Sequence, residues 1–207
     1  MSAADASEFL PPRRSLTALR AAVQNCRGCD LYKGATQAVF GAGPAKAELM
    51  LVGEQPGDRE DREGEPFVGP AGKLLDRALA EAGIDAGAAY VTNAVKHFKW
   101  RPQGKRRLHQ TPRAGEVGAC KPWLEAELAT VKPRALVALG ATATRSVFGT
   151  GVKVTVDRGH LLEDGPAPIS VVTVHPSAVL RAGAERELAF AALVEDLTVV
   201  STALARG

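Results

Sequence analysis

Short apolar runs alternate with amphipathic helical patterns along most of this sequence, and this alternation limits its possible folds more than any other feature. The apolar runs have the length and composition of buried strands. Strands that alternate with helices predict an open parallel sheet with helices on both faces. The predicted strands cover residues 48–52, 88–95, 134–140 and 168–177, and the predicted helices cover 15–25, 70–84, 115–131, 141–149 and a closing segment from about 186. We therefore predict an α/β fold: a three-layer α/β/α sandwich around a central, mainly parallel four-stranded sheet.

A polar or glycine-containing segment follows each predicted strand. These segments read GEQPG, TNAVKH, LGAT and HPS in chain order. Open parallel sheets bind their ligands beyond the carboxyl ends of the strands, so the four segments are expected to converge at one edge. One proline restricts the helix between the second and third strands: Pro122 is expected to start that helix or to lie in its first turn.

The composition is that of a globular protein of one domain. The chain has 207 residues, of which 45% are hydrophobic and 24% are charged. We predict a single domain over residues 1–207 with a flexible Pro/Arg-rich leader over 1–14. We see no signal peptide and no apolar run near the roughly 18 residues of a membrane span, so a cytoplasmic protein that is a monomer and has no membrane partner is expected.

The stretch 96–113 carries seven cations and no carboxylate, with two aromatic residues between them. Such a stretch is typical of phosphate contact and base stacking, although a solvated loop has the same composition. The acidic segment 58–65 is expected to face away from a phosphate backbone or to hold a catalytic group. The seven cations are Lys96, Lys99, Arg101, Lys105, Arg106, Arg107 and Arg113, and the aromatic residues are Phe98 and Trp100.

The chain has three cysteines, and two of them form a CRGC motif. Cys26 and Cys29 follow a predicted helix, whereas a redox CxxC motif opens a helix after a strand. Cys120 is the third thiol. A disulfide is not expected in the cytoplasm. The spacing alone allows a structural zinc with three Cys and one His, or simply unbound thiols.

Five motifs, in this order, resemble those of the uracil-DNA glycosylase superfamily, especially its iron–sulfur branch, family four. They are GEQPG, PFVGPAGKLLD, TNAVKH, ACKPWL and VHPS, and the resemblance extends from about Cys26 to about Arg181. Two features depart from family four: His97 stands where that family has a cysteine, and GKRRLHQTP is an insert. Both features are similar to the UdgX branch, whose members couple themselves covalently to the uracil site in DNA.

The resemblance implies a ligand set and a base pocket. It implies a [4Fe–4S] cluster held by Cys26, Cys29, Cys120 and His97. Its partner would be uracil-containing DNA, including single-stranded DNA. The uracil must be flipped out of the stack before its glycosidic bond can be reached. The residues implied for the flipped base are Phe67 stacking on it, Asn93 pairing with O4 and N3–H, Gln55 and Gly53 lining the pocket, and His175 stabilising the charge that grows on O2.

His109, at the end of the basic insert, is the residue on which the reaction outcome depends. We hypothesise that it occupies the position of the hydrolytic water and attacks C1′ of the sugar, while Glu54 orients its imidazole. Lys105, Arg106 and Arg107 would anchor the insert on phosphates or on the protein, and Ser177 is expected to contact DNA. Two alternatives stay open at this point: a conventional glycosylase with multiple turnover, and a non-catalytic iron–sulfur or zinc module that binds DNA.

Overall fold

The central sheet has four parallel strands, as the sequence predicts. A computed structural model describes residues 5–206. The strands are β1 Leu49–Gly53, β2 Tyr90–Asn93, β3 Trp100–Gln103, β4 Arg106–His109, β5 Ala135–Leu139 and β6 Ile169–Thr173. The central sheet has the order β2-β1-β5-β6, and all three of its pairings are parallel. β3 and β4 form a separate antiparallel hairpin.

Eight α-helices accompany the strands within the described residues. They are α1 Leu16–Val23, α2 Asp58–Glu63, α3 Pro70–Glu81, α4 Ala114–Val131, α5 Ala141–Phe148, α6 Val154–Asp157, α7 Pro176–Leu180 and α8 Arg186–Ala205. The predicted N-cap of the first helix is confirmed, because the Ser15 hydroxyl accepts a hydrogen bond from the Ala18 N–H at 3.2 Å. Helix α2 was not predicted.

The two faces of the sheet pack against different helices, which produces the three layers. On β1, Leu49 and Leu51 lie in a core cluster with residues of α3 and α8. Met50 and Val52 point to the opposite face, where residues of α4 and α5 complete a second cluster. Because side chains alternate along a strand, a strand buried on both faces is apolar at every position. The predicted α/β/α sandwich is therefore confirmed.

Pro122 lies in the middle of α4, so its predicted place at the start of the helix is wrong. A proline inside a helix removes one backbone hydrogen bond and costs about 3 kcal/mol. Helix α4 tolerates this because it is anchored on both sides of the proline: Cys120 and Trp123 are buried beside it, and Glu127 is fully buried further on. Tertiary packing here outweighs the local signal from which the prediction was made.

Part of the predicted flexible leader is folded. Residues 1–4 of that leader lie outside the described residues. Residues Ala6–Phe9 form a 3-10 helix whose first residue is buried in a core cluster with residues of α1 and α4. Phe9 and Leu10 pack against this cluster. Gly28 permits this packing, because a Cβ at that position would lie only 2.7 Å from the Ala6 backbone nitrogen.

The closing helical segment is more apolar than the sequence analysis expected. Within the described residues, Gly183–Ala205 is long and apolar enough to cross a membrane by length and composition alone, with a mean hydropathy of 1.7. The expectation that no run approaches that length is wrong. The criterion is weak by itself, since a helix of a protein core can also meet it. In α8 the residues Phe190, Leu193 and Leu197 are buried in the core cluster beside the sheet.

Candidate active site

The carboxyl ends of the parallel strands bring the predicted site residues to one edge of the sheet. β1 ends at Gly53, directly opposite Asn93 at the end of β2. His175 follows β6 and lies against Gly140, which follows β5: a Cβ on that glycine would lie 2.9 Å from the Cβ of His175. The convergence expected from the four strand-end segments is therefore observed.

Gly53 leaves room for two side chains that would otherwise collide with it. A Cβ at this position would overlap the Asn93 Oδ1 atom and would lie 2.7 Å from Phe67 Cζ. The Phe67 backbone has φ 58, a left-handed conformation that costs a non-glycine residue free energy. Gly72 permits that conformation, because a Cβ there would overlap the Phe67 carbonyl oxygen. Strained backbone of this kind is concentrated at functional sites.

The Asn93 side chain is 3% exposed. Within residues 5–206, no protein group forms a hydrogen bond with its amide, whereas its backbone carbonyl accepts one from Lys96 Nζ at 2.7 Å. The atoms of this amide are not among the fully buried side-chain atoms that lack a partner, so the amide lies where a ligand can reach it and supply its hydrogen bonds. An amide offers both a donor and an acceptor, so the ligand edge that it fits carries one of each.

His175 is held in one orientation and in one charge state. Its Nδ1 accepts the Ser177 N–H at 3.1 Å and lies 2.8 Å from the Ser177 hydroxyl. Burial lowers the pKa of His175 to about 4, although the nearby Glu54 charge opposes this shift. At neutral pH the ring is therefore uncharged. Since Nδ1 accepts a hydrogen bond, the ring proton is on Nε2.

Phe67 and His175 face each other across the edge of the sheet. Their ring centroids are 6.2 Å apart and their planes differ by 27°. The space beside them is bounded by an aromatic face, an imidazole N–H and the free Asn93 amide. These groups are what a planar, polar heterocycle requires of a binding pocket.

Glu54 contacts His109, as the sequence analysis hypothesises. Glu54 Oε1 lies 3.3 Å from His109 Nε2, and Glu54 Oε2 accepts a hydrogen bond from the Thr142 hydroxyl. Burial raises the pKa of Glu54, but the hydrogen bonds from His109 and Thr142 outweigh burial and hold it below its ordinary value. Glu54 is therefore ionised at neutral pH. His109 is about half exposed, so it is open to a ligand.

The basic insert is a β-hairpin, and the alternative of a solvated loop is excluded. β3 and β4 pair Trp100 with His109, and Gly104 with φ 57 begins the two-residue turn. Gln55 holds the base of this hairpin: its amide donates to the Lys99 and Gln110 carbonyls at 3.2 and 3.0 Å and accepts the Lys99 N–H at 2.9 Å. The polar atoms of the Gln55 side chain are used in this way, and its predicted place along the base pocket stays a prediction.

Arg107 also anchors the hairpin on the protein and is not a free cation for DNA. Its guanidinium pairs with Asp58 and with Asp61, the latter at 2.6 Å, and also donates to the Thr36 hydroxyl at 3.2 Å. Its side chain is only 14% exposed. Of the two anchors that the sequence left open for Arg107, phosphate or protein, the structure shows the protein, because α2 binds the basic insert. Lys105 and Arg106 are exposed at the tip of the hairpin.

Two more of the seven cations and both aromatic residues of the basic stretch are used inside the protein. Lys96 is fully buried and Lys99 pairs with Glu116 at 2.8 Å. Phe98 is 2% exposed, and Trp100 donates its Nε1–H to a backbone carbonyl. The Phe98 ring is therefore not free for the base stacking that was predicted from the composition, whereas Trp100 is partly exposed. The cations that remain exposed are Arg101, Lys105, Arg106 and Arg113.

The three cysteines lie in one buried cluster, all of them free thiols. Trp123 Nε1–H donates to Cys26 Sγ at 3.2 Å, and the Lys96 backbone N–H donates to Cys120 Sγ at 3.3 Å. Burial raises the pKa of Cys120 to about 12 and also raises that of Cys29. Buried thiols with N–H groups directed at the sulfur atoms suit thiolate ligands of a cationic centre, which would replace their protons.

His97 is buried, and it directly follows Lys96, whose backbone N–H contacts Cys120. Burial lowers its pKa to about 4, although the Asp61 charge opposes the shift. A neutral imidazole is the form that binds metals. Among residues 5–206, no three His, Cys, Asp or Glu side chains converge closely enough to hold a single metal ion.

Comparisons with known proteins identify the family. The family model described as the uracil DNA glycosylase superfamily matches residues 40–198. The chain belongs to this superfamily. The matched range includes the whole strand-edge site from Gly53 to His175, together with the hairpin.

Several relatives that are similar over most of both chains are type-4 uracil-DNA glycosylases. The chain is 39% identical to the enzyme of Pyrobaculum aerophilum over 178 residues, 83% of this chain and 87% of that protein. It is 39% identical to the enzyme of Thermotoga maritima over 161 residues, 77% of this chain and 80% of that protein. A type-5 uracil-DNA glycosylase of P. aerophilum is 35% identical over 121 residues, about half of each chain.

The sequence analysis missed three residues of this glycosylase site. Thr142 was within the LGAT segment that was placed at the ligand edge, but no role was expected for its hydroxyl. Lys96 was counted among the surface cations, and Glu127 was not singled out. A buried Lys–Glu pair 31 residues apart leaves no local signal in a sequence.

The lowered pKa of His175 predicts a pH dependence of stability. Unfolded His175 takes up a proton as the pH falls through 6.5, whereas folded His175 does so only near pH 4. This contribution is complete above pH 6.5 and is lost as the pH falls towards 4, by up to about 3 kcal/mol. Urea unfolding at pH 7 and pH 4.5 should show a smaller loss for His175→Gln than for the wild type. The same loss in both proteins would contradict a buried neutral His175; His160→Gln, at an exposed histidine, is the control.

Proposed function

We propose that this protein excises uracil from DNA by cleaving the N-glycosidic bond. Uracil-DNA glycosylase activity is what membership of the superfamily and the names of the type-4 relatives support. The single observation that carries the proposal is the free Asn93 amide buried between Gly53 and Phe67. A uracil flipped out of the helix would enter this space and stack on Phe67.

The base is chosen by its hydrogen-bonding edge. Uracil presents an O4 acceptor beside an N3–H donor, and the Asn93 amide complements both. Cytosine presents an amino donor and an N3 acceptor at the same positions. With Gly53 fixing the distance behind the amide and Phe67 covering it, a mismatched base would leave buried polar groups unpaired.

His175 would stabilise the leaving group. When the C1′–N1 bond breaks, the electron pair stays on uracil, and negative charge spreads to O2. A neutral imidazole with its proton on Nε2 is a fixed hydrogen-bond donor for that oxygen. Ser177 would orient this ring, because its N–H and its hydroxyl both contact His175 Nδ1, and its contact with DNA stays a prediction.

Glu54 and His109 would act on the sugar. Departure of uracil leaves an oxocarbenium-like C1′, next to which the ionised Glu54 stabilises positive charge. The names of the relatives favour the conventional outcome over the covalent one: water adds at C1′ and the protein turns over. In this reading the Glu54–His109 pair positions the water.

A second candidate outcome rests on the 3.3 Å contact between Glu54 and His109. A half-exposed imidazole whose one nitrogen is held by a carboxylate is arranged as a nucleophile with its orienting group. The lone pair of the other ring nitrogen would form a bond to C1′ as uracil departs with the electrons of the C1′–N1 bond. The proton on the nitrogen facing Glu54 would stay in that hydrogen bond. The resulting N-alkyl imidazolium is a poor leaving group, so the adduct would persist.

The cysteine cluster would hold a [4Fe–4S] cluster through Cys26, Cys29 and Cys120, with His97 as the fourth ligand. Three free thiols, two of them buried, and a neutral buried imidazole have the donor chemistry that such a cluster requires. Bound there, the cluster would cross-link the N-terminal segment to α4. The zinc alternative is less well supported. A zinc ion binds all four ligands directly, with a Zn–S distance of about 2.3 Å, and no three donors among the described residues converge on one point in that way.

DNA would approach over the hairpin and the adjoining groove. Lys105 and Arg106 are exposed at the hairpin tip. Beyond Thr142 a cavity of about 390 Å³ lies between α4 and α5, with Lys121 and Arg145 among its lining residues. These four cations can contact phosphates on either side of a flipped nucleotide. A single strand needs no unpairing before the base is flipped, so we expect single-stranded DNA to be a substrate.

Replacing Asn93 by Ala tests the base pocket. The variant leaves the polar edge of uracil unpaired, so the rate of uracil release from single-stranded uracil-DNA should fall more than 100-fold, about 3 kcal/mol. The measurement is free uracil quantified under single-turnover conditions, with the melting temperature as the control for folding. An unchanged rate would remove Asn93 from the pocket.

Replacing His109 by Ser distinguishes the two outcomes. If His109 is the nucleophile, the wild type should form one heat- and detergent-stable protein–DNA species with uracil-DNA, with uracil released once per protein molecule. His109→Ser should lose that species while uracil release continues, because Phe67, Asn93 and His175 are intact. His160→Ser, at an exposed histidine outside the site, should behave as the wild type.

Two results would decide against the covalent outcome. Release of uracil in large excess over the wild-type protein, without a stable species, would establish the conventional glycosylase. An adduct mapped to Lys105 would instead indicate a Schiff base at an abasic sugar.

The Glu54→Gln variant should form the His109 adduct more slowly at the same position, since only the orienting group is changed.

The purified protein is expected to be brown, because iron–thiolate ligation produces a broad absorbance at about 400 nm. Cys120→Ser should lose this absorbance and lower the melting temperature, because the cluster no longer links α4 to the N-terminal segment. Metal analysis should find iron and acid-labile sulfide. A colourless protein with stoichiometric zinc would overturn this ligand assignment and leave the glycosylase proposal in place.

A further inference from the structure

One fully buried carboxylate collects hydrogen bonds from the segment that carries Asn93. Glu127 Oε1 accepts from the Gly41 N–H at 3.0 Å, the Tyr90 hydroxyl at 2.9 Å and the Thr92 hydroxyl at 2.9 Å. Glu127 Oε2 accepts from the Lys96 ammonium. Burial, with the neighbouring Glu127 charge, raises the pKa of Tyr90 far above its ordinary value, so the phenol stays a donor.

Lys96 connects this carboxylate with Asn93. Its side chain is fully buried, and its Nζ donates to the Asn93 carbonyl and to the Thr92 hydroxyl, both at 2.7 Å. The ammonium has three N–H groups, and Glu127 receives the third. All donors of the lysine are therefore satisfied, as a buried charge requires.

The backbone of Lys96 is attached to the same helix. Its N–H donates to Cys120 Sγ at 3.3 Å. Cys120 and Glu127 are seven residues apart on α4, so they lie two turns apart on one face of that helix. The turn from Asn93 to Lys96 is thus held by α4 at two points, one at the cysteine cluster and one at the carboxylate.

Stability alone does not account for a buried ion pair here. Replacing such a pair by neutral side chains of similar volume is often neutral or stabilising, because burial removes two charges from water. An apolar pair would not bond to the Asn93 carbonyl, however. What the pair adds over an apolar core is a directed hydrogen bond at the residue whose amide is free for a ligand.

We propose that Lys96 and Glu127 are positioning residues that fix Asn93 for uracil, and that through Cys120 they connect the cluster site with the base pocket. This inference rests on the proposed function. Beyond Asn93 the Ala94 and Val95 N–H groups still donate to the Gly53 and Glu54 carbonyls, at 2.8 and 3.0 Å, but neither bond reaches the Asn93 carbonyl. Lys96 supplies the missing partner of the Asn93 carbonyl, and α4 fixes Lys96. A displacement of about 1 Å at the amide is enough to lower the rate about 100-fold.

The test compares two single variants with a double variant. Lys96→Met and Glu127→Gln should each lower the melting temperature by roughly 10 °C, since each leaves a buried charge unpaired. The double variant, Lys96→Met with Glu127→Gln, removes both charges and keeps an acceptor for Gly41, Tyr90 and Thr92. It should recover most of the melting temperature and keep the absorbance of the cluster.

The positioning role predicts that activity does not recover with stability. At a temperature where all proteins are folded, the double variant should release uracil roughly 10- to 100-fold more slowly than the wild type and should be inhibited by free uracil at least about tenfold more weakly. Its affinity for DNA with a baseless tetrahydrofuran site should stay within about twofold, because that ligand has no base for Asn93 to contact. Leu197→Ala, on the buried side of α8, is the control that loses comparable stability with normal uracil inhibition.

Two outcomes overturn the inference in different ways. A double variant that recovers both its melting temperature and wild-type uracil release would show that the pair is only structural. Loss of tetrahydrofuran-site binding in proportion to uracil release would show that the whole DNA-binding surface has changed, not Asn93. A wild-type protein that neither releases nor binds uracil would overturn the proposed function itself.

Discussion

The buried charge of Glu127 is the constraint on which the rest of the site depends. A carboxylate removed from water must be surrounded by donors, and here the donors come from three separate parts of the chain. Gly41 is one of them, and a side chain there would overlap both Glu127 and Tyr90. The hydrogen bonds to this one carboxylate therefore fix the end of β2, the loop before β1 and α4 relative to one another. They fix the position of Asn93 in the same way.

The hairpin shows how cations that resemble a DNA-binding surface can serve the protein instead. Arg107 is neutralised by Asp58 and Asp61 of α2, and Gln55 ties both strands of the hairpin to the loop after β1. Because the base and one face of the hairpin are fixed, His109 is held beside Glu54 instead of moving with a solvated loop. The tip, with Lys105 and Arg106, stays free for phosphates.

The site contains two ionisable groups whose environments drive them in opposite directions. His175 is kept neutral by burial, and Glu54 is kept ionised by hydrogen bonds that overcome burial. In the proposed reaction the first would donate to the charge that grows on a departing base, and the second would stabilise the positive sugar. Two ionisable groups at one sheet edge can take different roles only if their environments shift their pKa values in ways that keep one neutral and the other charged.

The sequence by itself determined the layers of the fold and the edge at which the site lies. Hydrophobic periodicity and chain order specify a parallel sheet, and a parallel sheet brings Gly53, Asn93 and His175 together, since these features depend only on local pattern and topology. The contact of Glu54 with His109 was also predicted, from the family resemblance. Only the tertiary structure decided the partners of individual polar groups. Lys96, Arg107 and Gln55 were predicted on the surface or in the pocket, but each of them has a partner between 31 and 55 residues away in the chain. Local sequence carries no record of which charge will be buried beside which, because that choice follows from the packing of complete elements.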